Sequence, residues 1–257
     1  MKKLFLFFLI SQCIFAQPPQ QIPPDLYNEY TQFGQIPVYP YYINETSQNV
    51  GIKKYKRHEI EKYRIKAERQ GTAYYGITDV WLHELLRKHP KLLKGKEVAI
   101  IGSTVPWYEA VVLAYGGKPT TVEYNFIEIE DTRVSYMSAQ EMKNHPKKFD
   151  VVLSISSFEH DGLGRYGDPL NPSGDLEAMD FWRGCLKDDG YMILSVPVGQ
   201  DSIFWNAHRI YGRIRFPKLI KGFSVLDAVP SYQTIDTYLD LPPDSGRQPI
   251  LLLNKTE

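Results

Sequence analysis

The residues best equipped for chemistry lie between Ser154 and Pro169, in SISSFEHDGLGRYGDP. Histidine is the side chain whose unperturbed pKa sits nearest neutrality, so His160 is the first candidate to take a proton. Glu159 or Asp161 beside it could orient the ring or act as the base. Arg165 offers a planar fork for a carboxylate or phosphate, and Asp168 completes the charged set. Gly162, Gly164 and Gly167 permit left-handed turns and close approach of a ligand to the backbone. A single loop with this content holds more than a turn requires, and His160, Glu159, Arg165 and Asp168 form the expected catalytic set. A bracing role, with Arg165 paired to Asp168, is the competing expectation for those two.

Such a loop needs a scaffold. The apolar run Phe149–Ile155 reads as a strand entering it, and a helix over 175–186 and a second apolar strand over 191–196 follow it. Upstream, helices are expected over 53–70, 78–88 and 106–114, and strands over 97–101, 119–124 and 132–137. A short helix over 138–144 leads into the strand at 149. Downstream come a helix near 216–221 and strands near 224–229 and 249–253. Strands alternating with helices predict an α/β fold, a mostly parallel sheet with helices on both faces. Ligands bind such sheets beyond the carboxyl ends of the strands.

The turn after the first strand of that series is Gly102-Ser103-Thr104-Val105-Pro106-Trp107. Glu123 follows roughly twenty residues later at a strand end, where related folds hydrogen-bond a ribose. The G-x-G-x-x-G fingerprint is absent, which argues against a nicotinamide-dependent oxidoreductase.

The succession IIGS, TVEY, FDVVLSISSFEH and LKDDGYMILSVP is similar to the ordered motifs of class I S-adenosylmethionine-dependent methyltransferases. A closer resemblance is to a family of unknown function with nematode and bacterial members. It shares EH-x-GLGRYGDP (residues 159–169), VP-x-G-x-D (196–201) and AHRIYG (207–212), and the likeness extends over about 94–254. The resemblance implies a Rossmann-like class I methyltransferase fold and S-adenosylmethionine as cofactor. It places Gly102 and Ser103 at the cofactor turn, Glu123 at the ribose, and Ser156 and Ser157 in the wall beside sulfonium and acceptor. Thr104, Val105 and Pro106 replace the usual later glycines, and Trp107 is expected near the cofactor's path. Only FIEIED joins the second and third strands, so the helix usual there is shortened or lost.

Composition narrows the partners. The 257 residues carry a formal net charge of zero, so the chain has no electrostatic footprint for nucleic acid or an acidic membrane. Lys53, Lys54, Lys56 and Arg57 are offset by Glu59, Glu61 and Glu68, a solvated helix face. Lys2 and Lys3 precede an apolar stretch ending at Ala16, the pattern of a secretory signal peptide, with a retained anchor as the alternative. Asn44-Glu45-Thr46 and Asn254-Lys255-Thr256 fit the glycosylation pattern. Removing the signal would leave Cys185 as the sole cysteine, expected to be a buried thiol. No metal site is expected, because His160, His208 and the carboxylates lack ligand spacing. The expected division is a signal peptide (1–16), a Pro-rich extended arm (17–50), a helical extension (51–93) and a methyltransferase-like domain (94–257).

These readings converge on an S-adenosylmethionine-dependent methyltransferase that is secreted or in the secretory-pathway lumen. Its acceptor would be small or glycan-like, with His160, helped by Glu159, as the base. The alternative is a catalytically inactive binding module on the same fold. The segment Asp201-Ser202 to Tyr211, rich in aromatics, is expected on the same side as the loop, as a lid or a packed connection.

Overall fold

We describe a computed structural model of the chain over residues 17–46 and 51–256; the expected signal segment, 1–16, lies outside the described residues. The chain begins with a turn of helix, α1 (Tyr27–Tyr30), and a strand, β1 (Val38–Tyr41). Strand β2 (Lys53–Tyr55) leads into α2 (Arg57–Glu68) and α3 (Ile77–Lys88). Alternation then starts with β3 (Glu97–Ile101), α4 (Trp107–Ala114), β4 (Lys118–Glu123) and β5 (Ile127–Ile129). It continues through β6 (Ser135–Ser138), α5 (Ala139–Asn144), β7 (Phe149–Ile155), α6 (Gly174–Gly184) and β8 (Leu186–Ser195). A hairpin of β9 (Ser202–Asn206) and β10 (His208–Ile210) precedes α7 (Phe216–Leu219), β11 (Phe223–Val229), α8 (Tyr232–Tyr238) and β12 (Ile250–Lys255).

Seven strands form the central sheet in the order β11-β12-β8-β7-β3-β4-β6. The pairs from β6 to β8 are parallel, and β12 runs antiparallel to both its neighbours. Side chains alternate across a strand, and β3 shows the consequence. Ala99 and Ile101 pack with Met142, Met179, Trp182 and Phe216 from α5, α6 and α7. Val98 and Ile100 face the other way, toward Leu82, Leu85, Val111 and Val112 of α3 and α4. Burial on both faces explains the apolar runs 98–101, 151–153 and 191–194 within β3, β7 and β8. The architecture is an α/β, Rossmann-like fold, a mostly parallel sheet with helices on both faces.

Several elements carry structure beyond what the sequence marks. The helix expected from Lys53 starts at Arg57, because 53–55 pair in parallel with β5. Tyr55 is buried there, while Lys54 reaches Glu128 at 2.7 Å. FIEIED carries β5 and no helix, so the connection from β4 to β6 is a strand-bearing loop. The aromatic segment after β8 is a strand pair, with β1 adding in parallel to β9 to make a three-stranded sheet.

That small sheet seats residues 17–46 against the loop after β7. Tyr30 donates its hydroxyl to the Gly162 carbonyl, and the Trp205 indole donates to the Pro19 carbonyl at 3.1 Å. Ile22, Tyr30, Ile36, Leu163, Ile203 and Trp205 form a separate buried cluster under this contact. Cys185 is a buried free thiol just past α6. Among the described residues no helix is long and apolar enough to cross a membrane.

Candidate functional site

A cavity of about 1250 Å³ opens at the carboxyl ends of β3, β4 and β7. Gly102, Glu123, Ser156, Ser157, Glu159, His160, Arg165 and Asp168 all line it. The volume exceeds the ~300–1,000 Å³ of ordinary ligand pockets, leaving room for two small molecules side by side. Ser103 is the exception among the expected residues. It is buried behind the turn, its carbonyl and Oγ accepting from the Tyr55 hydroxyl at 2.9 and 3.0 Å. Its contribution is to hold the turn from below.

The turn after β3 forms part of the cavity wall. Gly102 adopts a φ of +69°, and a Cβ there would lie 2.3 Å from Ser157 Oγ. The chain passes so close to Ser157 that only glycine fits. Glu123 stands half-buried at the end of β4 and accepts from the Tyr124 amide at 2.8 Å. Burial raises its pKa above the usual carboxylate range. Trp107, expected near the cofactor's path, points away instead: it is fully buried among Tyr63, His83 and the α4 side of the sheet. The first turn of α4 aims it at the core, so the bulk feared at the turn is absent from the cavity.

Beside that turn the chain leaves β7 through Ser156, a non-glycine residue at φ +55°. Strain of this kind is held in place by its surroundings and concentrates at functional sites. Here the Ser156 amide donates to the Ser195 carbonyl at 2.8 Å, and its Oγ accepts from Gln248 at 3.2 Å. The same hydroxyl donates to Glu159 Oε1. Glu159 is 1% exposed and its Oε2 has no hydrogen-bond partner. Burial pushes its carboxyl up to about 7, against the Ser156 hydrogen bond, which pulls it down.

His160 takes the opposite shift. Burial, with the Arg165 guanidinium next, pushes the ring down to about 3. Nδ1 lies 2.6 Å from the Ala207 carbonyl, which can only accept, so Nδ1 carries the hydrogen and Nε2 keeps its lone pair. That Nε2 sits 3.8 Å from Glu159 Oε1. Near neutral pH the imidazole is therefore a fixed neutral acceptor, and the carboxyl beside it is the group poised to exchange a proton.

Arg165 and Asp168 line the cavity but do not pair with each other. Arg165 Nε donates to Glu45 at 2.8 Å, and the Glu45 amide returns a bond to the Arg165 carbonyl at 2.9 Å. Asp168 accepts from the amides of Gly162 at 2.7 Å, Gly164 at 3.2 Å and Tyr166 at 3.3 Å, bracing the loop upon itself. Arg209, 1% exposed, stitches the loop from the far side through the Asp161 carbonyl at 2.6 Å and the Asn171 carbonyl at 3.4 Å. His208 reaches the cavity wall, its centroid 6.4 Å from that of His160.

Sequence reasoning missed Tyr41, Ile43 and Glu45 from the Pro-rich segment, Tyr74 and Tyr75 before α3, and Gln248 before β12, all of which line the cavity. The alternating VYPY of β1 was a usable strand signal. Nothing local to Gln248 marks it.

Several solved structures are similar to this chain. The 1,6-didemethyltoxoflavin-N1-methyltransferase of Burkholderia thailandensis, with 1,6-didemethyltoxoflavin and S-adenosylhomocysteine bound, is 17% identical, with 78% of this chain matching 90% of that one at a TM-score of 0.47. A Pyrococcus horikoshii protein is 15% identical over 76% of this chain and 99% of its own, at a TM-score of 0.48. An S-adenosylmethionine dependent methyltransferase from Mesorhizobium loti is 12% identical over 67% and 97%, at 0.42. No curated protein matches the sequence. Residues 95–242 match the family described as "Caenorhabditis protein of unknown function, DUF268", and the chain belongs to that family.

Proposed function

We propose that the protein is an S-adenosylmethionine-dependent methyltransferase acting on a small acceptor. The observation that carries the reading is one cavity lined both by a glycine turn and by a buried carboxyl–imidazole pair. The residues present fit the cofactor: Gly102 turns at a φ of +69° in the cavity wall, and Glu123 stands at the neighbouring strand end. When bound, S-adenosylmethionine supplies an electrophilic methyl group on a sulfonium centre. Glu123 would accept from ribose hydroxyls, and the backbone of Gly102 and the side of Ser157 would wall the donor.

At the acceptor end Glu159, ionised at the upper side of neutrality, takes the proton that the acceptor gives up as its bond to the methyl carbon forms. His160 keeps its Nδ1 hydrogen on Ala207 and offers Nε2 to a second hydrogen of the acceptor. Ser156 fixes the Glu159 carboxyl through Oε1. The remainder of the rate gain is positional, from a walled cavity that holds both reactants. Secretory residence belongs to the same proposal and rests on Lys2, Lys3 and the apolar run to Ala16.

Calorimetric titration of the purified protein with S-adenosylhomocysteine tests the reading. Binding is expected, and Gly102→Val should abolish it. Absence of heat and of any thermal shift at millimolar ligand would sink methyl transfer and leave a binding module on the same fold.

A further inference from the structure

The acceptor end of the cavity has a wall of flat rings. Tyr39, Phe204 and His208 occupy successive positions across β1, β9 and β10, because Tyr39 pairs with Phe204 and His208 with Phe204 in the strand registers. Their rings stack in turn, with centroids 5.1 Å and then 5.0 Å apart and planes within 26° and 24°. Phe204 and His208 present the inner end of this ladder to the cavity, with Tyr41 edge-on to His208 at 6.2 Å. Tyr166 stands across from them, edge-on to His160 at 5.6 Å. Burial, with the Arg165 guanidinium next, keeps the His208 ring neutral, so the stacked ladder itself is uncharged.

Three acceptors lie close together on this side. His160 Nε2 is an acceptor, Glu159 Oε2 is buried without a partner, and Ser156 Oγ lies beside them. Flat walls with one cluster of acceptors fit a planar ring carrying a hydroxyl at its rim.

We propose that the acceptor is a phenol-type compound, its ring lying on the Phe204–His208 ladder and its hydroxyl directed at Glu159 and His160. This rests on the methyl-transfer reading for the fate of the hydroxyl, though the ring site stands on its own geometry. The acid–base match supports it: an aromatic hydroxyl titrates near ~10, within reach of the raised Glu159 carboxyl, whereas an aliphatic hydroxyl is far weaker as an acid. In the step, the phenolic O–H bond breaks and its proton passes to Glu159. The oxygen forms the bond to the methyl carbon, and the carbon–sulfur bond breaks with its electron pair returning to sulfur. The products are an aryl methyl ether and S-adenosylhomocysteine.

The test is ligand-observed NMR titration of the full protein, with and without S-adenosylhomocysteine, using p-cresol, its methyl ether, its saturated ring analogue and methyl β-glucoside. p-Cresol should bind roughly tenfold more tightly than each of the other three, the worth of one hydrogen bond or one ring face. Phe204→Leu should remove the advantage over the saturated ring, and Glu159→Leu the advantage over the ether. The ranking in the unsubstituted protein decides the matter even if a variant misfolds. Equal binding of the saturated alcohol, or tighter binding of the glucoside, overturns the proposal. S-adenosylhomocysteine binding without p-cresol preference overturns it alone. p-Cresol preference without S-adenosylhomocysteine binding supports the ring site and overturns methyl transfer.

Discussion

Glu109 and Glu159 share a local chemistry and differ in what surrounds it. Both are buried, at 0% and 1% exposure, and both are pushed up to about 7 by burial. Each has one oxygen on a hydroxyl, Glu109 on Thr121 at 2.8 Å and Glu159 on Ser156, and each leaves Oε2 without a partner. Glu109 sits in α4 behind the Gly102 turn and does not line the cavity. Glu159 lines it and has an imidazole nitrogen 3.8 Å away. A displaced pKa thus says only that a carboxyl is poorly solvated. Function requires in addition a space for substrate and a second group to share its proton.

The largest effect that separates the two is on turnover. Glu159→Gln should lower methyl transfer to p-cresol by about 10²–10⁴-fold, the usual worth of a positioned base. S-Adenosylhomocysteine affinity should change by no more than about twofold, because glutamine keeps the size of the side chain beside Ser156. Glu109→Gln should leave both within about threefold. An equal loss of turnover from Glu109→Gln, with cofactor affinity kept, would erase the distinction.

Next in size is stability against pH, where the two glutamates should behave alike. Each binds its proton more tightly when folded than in the unfolded chain, where a glutamate titrates near 4.5. Stability contributed by the pair is full below pH 4.5 and falls as pH rises toward 7, by on the order of 3 kcal/mol per group. His160 and His208, pushed down to about 3 and about 4, work the other way, costing stability as pH drops below 6.5. Urea midpoints between pH 4.5 and 8 should show the descending limb flattened in either Glu→Gln variant.

Smaller still is removal of the supporting hydroxyl. Thr121→Val should cost about 1–3 kcal/mol in urea unfolding by leaving Glu109 without a donor. Ser156→Ala should cost a similar amount and also move the acidic limb of the pH–rate profile upward, an effect Thr121→Val should not produce. The smallest expected change is Glu45→Gln. Its pair with Arg165 is part-exposed, so stability should move by roughly 0–1 kcal/mol, read as a urea midpoint, with cofactor binding unchanged.

The scaffold was legible in the sequence where a strand is buried on both faces. β3 and β7 fall on the expected residues because each holds an apolar, β-branched core, 98–101 and 151–153, flanked by charged, polar or glycine residues. The loop after β7 was legible as a concentration of residue types. What each residue experiences there was not legible. The tautomer and low pKa of His160 depend on the Ala207 carbonyl and on Arg165, and the place of Ser103 depends on Tyr55 from another strand. Trp107 was misplaced because a helix start fixes no direction until the sheet beneath it is known. The role of residues 17–46 was hidden for a related reason, since Pro and Tyr in alternation bury little until β9 and the site loop are there to receive them.

The position of β12 bears on how the protein is made. It lies between β8 and β11, with Ile250, Leu251, Leu252 and Leu253 buried toward both helical layers. During synthesis it leaves the ribosome after every other strand of that sheet. Until it emerges, β8 offers an unpaired edge and β11 has no neighbour to hold it, so the nascent chain carries an open template for wrong pairing. Trimming the protein to the stretch that defines its family, residues 95–242, would make that passing vulnerability permanent.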